Sequence, residues 1–260
     1  MGHIIRLNTV FSNKNLPAIV DRDVSALEAT ILKHPNLQGF WDFGDKSTLT
    51  LSNNKITKIL DKSANANPLI ATSELAPTLD NLTLKGISSG YFAGSQYLVS
   101  ENTAYKSTWA EMTMVVFALK PEATSTPALT ILASRKTTSS YALYMDNASV
   151  SLNAGRAKFL VDSVVGKPLN IIASTVFETN ESFLRTPENF AKGVRHNLKA
   201  EDDYLYVGRW YDGSDESHAS QWKGYIGHMM MFDKNMENDP IFMDLLFEYA
   251  RRKYATPLWG

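Results

Sequence analysis

From Gly39 onward the chain alternates apolar and polar residues with a period of two. Gly39-Phe40-Trp41-Asp42-Phe43 alternates around a large aromatic, and Lys55-Ile56-Thr57-Lys58-Ile59-Leu60-Asp61 alternates again before the polar turn Lys62-Ser63-Ala64-Asn65-Ala66-Asn67-Pro68. Period two sends successive side chains to opposite faces, as in a half-buried strand. Similar patterning predicts strands over Leu82 to Ile87, Gln96 to Val99, Glu111 to Leu119, Leu129 to Ser134 and Tyr141 to Met145. Others fall over Val150 to Leu152, Leu169 to Phe177, Glu181 to Leu184, Tyr204 to Gly208 and Gly224 to Phe232. Many short strands with turns between them and almost no internal helix predict an all-β sandwich.

Helical spacing occurs near each end. Val24, Leu27, Ile31 and Leu32 recur at helical intervals, with Asp23 and Ser25 as candidate caps and Pro35 beyond the end. Near the C-terminus Asp239 stands where a cap belongs and Pro240 at the first helical position. Ile241, Leu245, Leu246, Tyr249 and Ala250 then predict an inward face, and Arg251, Arg252 and Lys253 occupy the end whose dipole favours cations. Residues 1–22 instead mix extended residues with turn formers. Their Ile4, Ile5, Leu7, Val10, Phe11, Leu16 and Ile19 suit an arm that crosses onto a neighbouring subunit; the alternative is a disordered terminus. The expected organisation is an arm and short helix over 1–36, then one sandwich with a C-terminal helix over 37–260.

Composition narrows the partners. The net charge of -1, with 26 basic against 27 acidic residues, gives no general field for nucleic acid or an anionic membrane. With no cysteine there is no disulfide, thiolate nucleophile or cysteine metal site. The first residues lack the apolar run of a secretory signal, and no stretch approaches the roughly twenty apolar residues of a membrane-spanning helix, so no membrane insertion is expected. Arg6 stands where a myristoylation signal places Ser or Thr.

Catalytic patterns are missing. There is no Glu-x-Asp-x-x-Glu run for a sandwich glycosidase, no Gly-x-Ser-x-Gly elbow, no His-x-x-x-His pair, and no nucleotide-binding loop. Glu201-Asp202-Asp203 is expected to be a solvated turn. The segment from Arg209 to Trp222 is the candidate binding surface. Trp210, Tyr211, Asp212, Asp215, His218 and Trp222 combine ring faces with polar groups, the residue types a glycan site needs. Asp212, Asp215 and Glu216 offer the oxygen ligands calcium prefers, without an EF-hand's spacing. The competing reading is a hairpin loop with Trp210 and Trp222 buried beside it. Met229-Met230-Met231 is expected to be a core strand between two apolar layers, because Met229 and Met231 share one face while Met230 takes the other. Trp41, Trp109 and Phe117 are assigned to the core.

The order of elements resembles the concanavalin-like, laminin-G-like jelly rolls, particularly those of bacteriophage structural proteins. Trp41-Asp42-Phe43 followed by Ile59-Leu60-Asp61-Lys62-Ser63-Ala64-Asn65 is similar to the family's opening strands and Asp-x-Ser-Gly-Asn turn, with Ala64 in place of glycine. Trp109 to Phe117 looks like its central strand and Leu169 to Thr175 like the strand before its back hairpin. Gly224-Tyr225-Ile226 and Lys253-Tyr254 match its ending, although His228 replaces a frequent acidic residue. The resemblance covers roughly residues 37 to 255. It implies a non-enzymatic structural protein of a phage virion, in capsid decoration, neck or tail, assembled in the host cytoplasm. Its implied partners are other virion proteins and copies of itself, joined through the arm and the sandwich surface. The alternative is a carbohydrate- or receptor-binding module that uses the 209–222 loop on a host-surface glycan. No cofactor is expected beyond the candidate calcium.

Overall fold

A computed structural model describes residues 24–123, 129–134, 141–152, 157–160, 163–194, 199–209 and 221–254. The assembly-arm residues Ile4, Ile5, Leu7, Val10, Phe11, Leu16 and Ile19 lie outside them. In chain order come α1 (Ser25–Leu32), β1 (Leu37–Asp42), β2 (Leu49–Ser52), β3 (Lys55–Ile59), β4 (Leu69–Ile70), β5 (Thr78–Leu84), β6 (Ile87–Ala93) and β7 (Leu98–Ser100). They are followed by β8 (Glu111–Leu119), β9 (Leu129–Ser134), β10 (Ala142–Met145), β11 (Ser149–Leu152), β12 (Ala157–Leu160) and β13 (Pro168–Val176). The last are β14 (Glu181–Arg185), β15 (Phe190–Val194), β16 (Leu205–Val207), β17 (Lys223–Phe232) and α2 (Pro240–Lys253).

Antiparallel pairing sorts the strands into two layers. One runs β5-β6-β17-β8-β13-β14-β15, and β1 continues from β6 along the same edge of β17. The other runs β2-β3-β4-β7-β16-β9-β10-β11-β12. A single β3–β5 pair, Lys55 with Thr78, joins them at the rim. The chain is an all-β sandwich of jelly-roll type with a helix near each end of the described chain.

Both helices pack on the outer face of the first layer, so its central strands are buried on two sides. On β8, Met112, Met114, Val116 and Ala118 fill the sandwich, while Val115 and Phe117 face the helical layer. On β17, Met229 and Met231 point inward and Met230 outward, as period two requires. Each such fully buried side chain contributes about 1.5–3 kcal/mol. A bulge between Ile226 and His228 interrupts the register of β17. Gly227 sits there because a Cβ would lie 2.4 Å from the Tyr254 hydroxyl, which closes over the strand.

Several local expectations are corrected. Leu82 to Ile87 is not one strand but the end of a hairpin: Lys85 and Gly86 take positive φ, and Leu84 pairs with Ile87 across the turn. The apolar residues Leu82, Leu84 and Ile87 flank that turn on both sides and hide it. α1 has Val24 at its cap position and no side-chain cap bond, so Ser25 does not cap it, and Asp23 lies outside the described residues. At α2 the Asp239 carboxylate does accept from Phe242 N, at 3.0 Å. Ile241, however, is 84% exposed; Phe242, Met243, Leu246, Tyr249 and Ala250 form the inward face.

Candidate functional site

The turn after β3 is organised by one carboxylate. Asp61 Oδ1 accepts from Phe40 N and Ser63 N, both at 2.8 Å, and Oδ2 accepts from Ser63 Oγ at 2.8 Å and Asn67 N at 3.0 Å. An aspartate that gathers nearby backbone N–H groups builds a turn without regular structure. The left-handed residue in it is Ala66, at φ 48°. Asn67 then reaches the segment before β8, donating to Asn102 O at 3.1 Å and accepting from Asn102 N at 2.9 Å. This reciprocal pair ties the two loops together. Trp41 adds a third tie, its indole N–H donating to Asn67 O at 2.8 Å.

Between the two loops lies a cleft of about 210 Å³. Gln38, Asn65, Asn67, Asn102 and Thr103 line it with polar groups, Ala104, Trp109 and Met231 with apolar ones, and Lys106 brings the only charge among the described lining residues. Trp109 is half-buried, packed partly against the sandwich core. This corrects its assignment: it precedes β8 instead of lying in the strand, so part of its indole is left to the cleft. A smaller cavity of about 10 Å³, room for about one water, adjoins on the far side of Trp109. There the buried Tyr105 hydroxyl has no hydrogen-bond partner among the described residues, and burial and the nearby Asp203 carboxylate push its pKa well up.

The amides of the cleft are oriented by their neighbours. Asp233 accepts from Asn36 Nδ2 at 2.9 Å and from Gln38 Nε2 at 3.0 Å. A carboxylate only accepts, so Gln38 turns its Oε1 the other way. That oxygen takes Asn65 Nδ2 at 2.9 Å, and the same Nδ2 donates to Gln38 O at 2.9 Å. Asn65 therefore uses its amide nitrogen on Gln38, and its Oδ1 has no partner among the described residues.

A second polar cluster lies under α2 and is closed. Asp42, 1% exposed, pairs with Lys253, and Lys62 pairs with Glu28 and, at 2.9 Å, with Asp45. Tyr249 donates to Glu28 at 3.0 Å and accepts from Lys253 at 3.0 Å. His228 is wholly buried beside them, near-parallel to and offset from the stacked Phe117–Tyr254 pair, with Nδ1 3.2 Å from the Tyr254 hydroxyl. Burial, reinforced by the Lys253 ammonium, holds its pKa well below the usual histidine value of 6.5. The basic triplet thus divides. Arg251 and Arg252 bind Glu248, whose pKa they hold at about 2, whereas Lys253 turns inward to a carboxylate. Asp42 and Lys253 thus neutralise each other beneath the helix, while Arg251, Arg252 and Glu248 pair on its partly exposed side.

Of the sequence-predicted site residues, Trp210, Tyr211, Asp212, Asp215, Glu216 and His218 lie outside the described residues, and with them the calcium set. Trp222 is fully buried in the sandwich core, so its ring offers no face to a sugar. Asp203 is also buried: its backbone pairs with Tyr105, and neighbouring Asp202 accepts from Ser107 N at 2.7 Å, so the acidic turn braces the loop leading to Trp109. Among the described residues no group of three or more His, Asp or Glu side chains is placed to hold a metal ion. No described helix is long and apolar enough to cross a membrane. The cleft itself escaped sequence reasoning; its one sequence signal is the pairing of Asn65-x-Asn67 with the distant Asn102-Thr103.

No family model and no curated protein sequence matches the chain. Among solved structures it is similar to the Trypanosoma rangeli sialidase in complex with sialic acid, with a TM-score of 0.58 and 12% identity over 85% of this chain and 34% of that one. It is also similar to a GH54 α-L-arabinofuranosidase soaked with 4-nitrophenyl α-L-arabinofuranoside, with a TM-score of 0.51 and 11% identity over 75% and 51%. The chain spans about a third of the sialidase's length. At these identities the likeness is one of fold.

Proposed function

We propose that the chain is a non-catalytic carbohydrate-binding module whose ligand enters the Trp109 cleft. One observation carries this reading: a half-buried indole shares a cleft of about 210 Å³ with the side-chain amides of Gln38, Asn65 and Asn102. Sugars present an apolar C–H face and a rim of hydroxyls, which an aromatic ring and amides recognise respectively. Binding without cleavage is supported by the absence of Asp and Glu from the described lining, since glycoside hydrolysis ordinarily uses two carboxylates flanking the bond. The sialidase and the arabinofuranosidase similar in fold hold sugar ligands, which supports the ligand class.

Retention on a glycan array tests the reading. Trp109→Ala is expected to lose about 1–3 kcal/mol of binding, the scale of a stacking contact, while keeping the wild-type circular dichroism spectrum. Unchanged retention by this variant would exclude the cleft.

A second reading, a phage particle subunit, is favoured by one sequence observation: the apolar residues Ile4 to Ile19 precede a helix tied into the sandwich through Glu28. Removal of residues 1–22 is expected to leave the sandwich folded and to abolish assembly with its partners; normal assembly by the truncated chain overturns it.

A further inference from the structure

We propose that the cleft takes an acidic sugar, whose carboxylate meets Lys106 while its hydroxyls meet Asn65 Oδ1. This rests on the carbohydrate-binding reading and goes further by naming the ligand's charge and the direction of its hydrogen bonds.

The argument starts from Asp233. Because that carboxylate fixes Gln38, and Gln38 consumes the Asn65 amide nitrogen, the group left on the Asn65 side is an acceptor. An acceptor asks for a donor, which a sugar hydroxyl supplies.

Lys106 has the opposite character. Its ammonium donates to Thr103 O at 3.3 Å, leaving further donors, and it makes no ion pair among the described residues. The two acidic residues nearest in sequence are engaged elsewhere, Glu101 by Lys58 at 3.9 Å and Glu111 by Asn235 N at 3.1 Å, while Glu201 and Asp203 line the adjoining small cavity, not this cleft. The other polar lining groups are amides and one hydroxyl, so the protein supplies Lys106 with no counter-charge inside the cleft. A carboxylate on the ligand supplies it, and also provides acceptors for the remaining N–H groups. The Trp109 indole meanwhile takes the apolar ring face, which holds the sugar between an acceptor and a cation.

The test uses the full chain and immobilised sugars in matched pairs: a glucuronoside and a sialoside, each beside its carboxyl-reduced counterpart. Wild type is expected to retain the acidic members about fivefold better at low salt, the scale of an exposed ion pair, with the gap closing as salt screens it. Lys106→Gln is expected to hold acidic and reduced members alike. Equal wild-type retention of both members, or a preference that persists in Lys106→Gln, overturns the acidic-sugar proposal and leaves the carbohydrate-binding reading standing. Retention of no sugar by wild type overturns both.

Discussion

Two aspartates near β1, Asp42 within it and Asp61 beside it, do opposite work. Asp42 is sealed beneath α2 and meets a formal charge, the Lys253 ammonium. Asp61, half-buried, meets only neutral donors: two backbone N–H groups on one oxygen, a hydroxyl and a third N–H on the other. Charge against charge pins a helix to a sheet. Charge against dipoles shapes a turn, and that turn carries Asn65 and Asn67 to the rim of the cleft. One side of the molecule is therefore finished internally, and the other leaves hydrogen-bonding capacity facing outward.

The sharpest way to break the contrast is Asp42→Ala. It strands the Lys253 ammonium in a buried site, with Tyr249 as its remaining hydrogen-bond partner. Removing one member of a buried pair costs about 3–5 kcal/mol, because the uncompensated charge keeps its desolvation penalty. Urea unfolding should show a loss of at least about 3 kcal/mol, with sugar retention intact wherever the protein remains folded. A loss below about 1 kcal/mol would mean that Lys253 reaches water and that the cluster is not closed.

Asp61→Asn is expected to have a smaller effect on stability and a larger one on binding. One side of the new amide is a donor, so the bond from Asn67 N is lost while the Ser63 hydroxyl can turn to accept from it, at about 1–2 kcal/mol in all. The turn then releases Asn65 and Asn67, and sugar retention should fall at temperatures where the sandwich is intact. Retention equal to wild type would show that Asn67 and its reciprocal pair with Asn102 hold the cleft unaided.

The same contrast explains what the sequence disclosed. Strands β8 and β17 were legible because their alternation is local, and Met229-Met230-Met231 could be assigned to two apolar layers without knowing what covered either. The outward layer was harder. Lys253 looked like a dipole-end cation because its partner lies 211 positions away, and Ile241 looked inward because spacing alone does not say which side of a first turn meets the sheet. The cleft was least legible. It is assembled from positions 38, 65, 102, 106 and 109, brought together by strand pairings, and Trp109 read as core because an aromatic before an apolar strand usually is core. The segment from Arg209 to Trp222 drew attention as a dense local cluster, whereas amides scattered from Gln38 to Asn102 make none.

Acid separates the two sides further, with the smallest expected change. His228 lies on the Asp42 side, and the described lining of the cleft contains no histidine. Its folded pKa is depressed below 6.5 by burial and by Lys253, so the unfolded chain binds a proton that the folded chain refuses. Stability contributed by the neutral imidazole is complete above about pH 6.5 and falls as the pH drops through that value, at up to about 1.4 kcal/mol per pH unit for one proton. His34, half-buried and also depressed chiefly by burial, adds a slope of the same sign. His228→Phe keeps an aromatic ring beside Phe117 and Tyr254 and removes the proton. Unfolding midpoints at pH 7.5, 6.5 and 5.5 should therefore fall less steeply for the variant, while sugar retention by folded wild type stays level. Identical slopes for the two proteins would mean that the imidazole is protonated in place, which requires an acceptor or water at Nε2, where the described residues supply no partner.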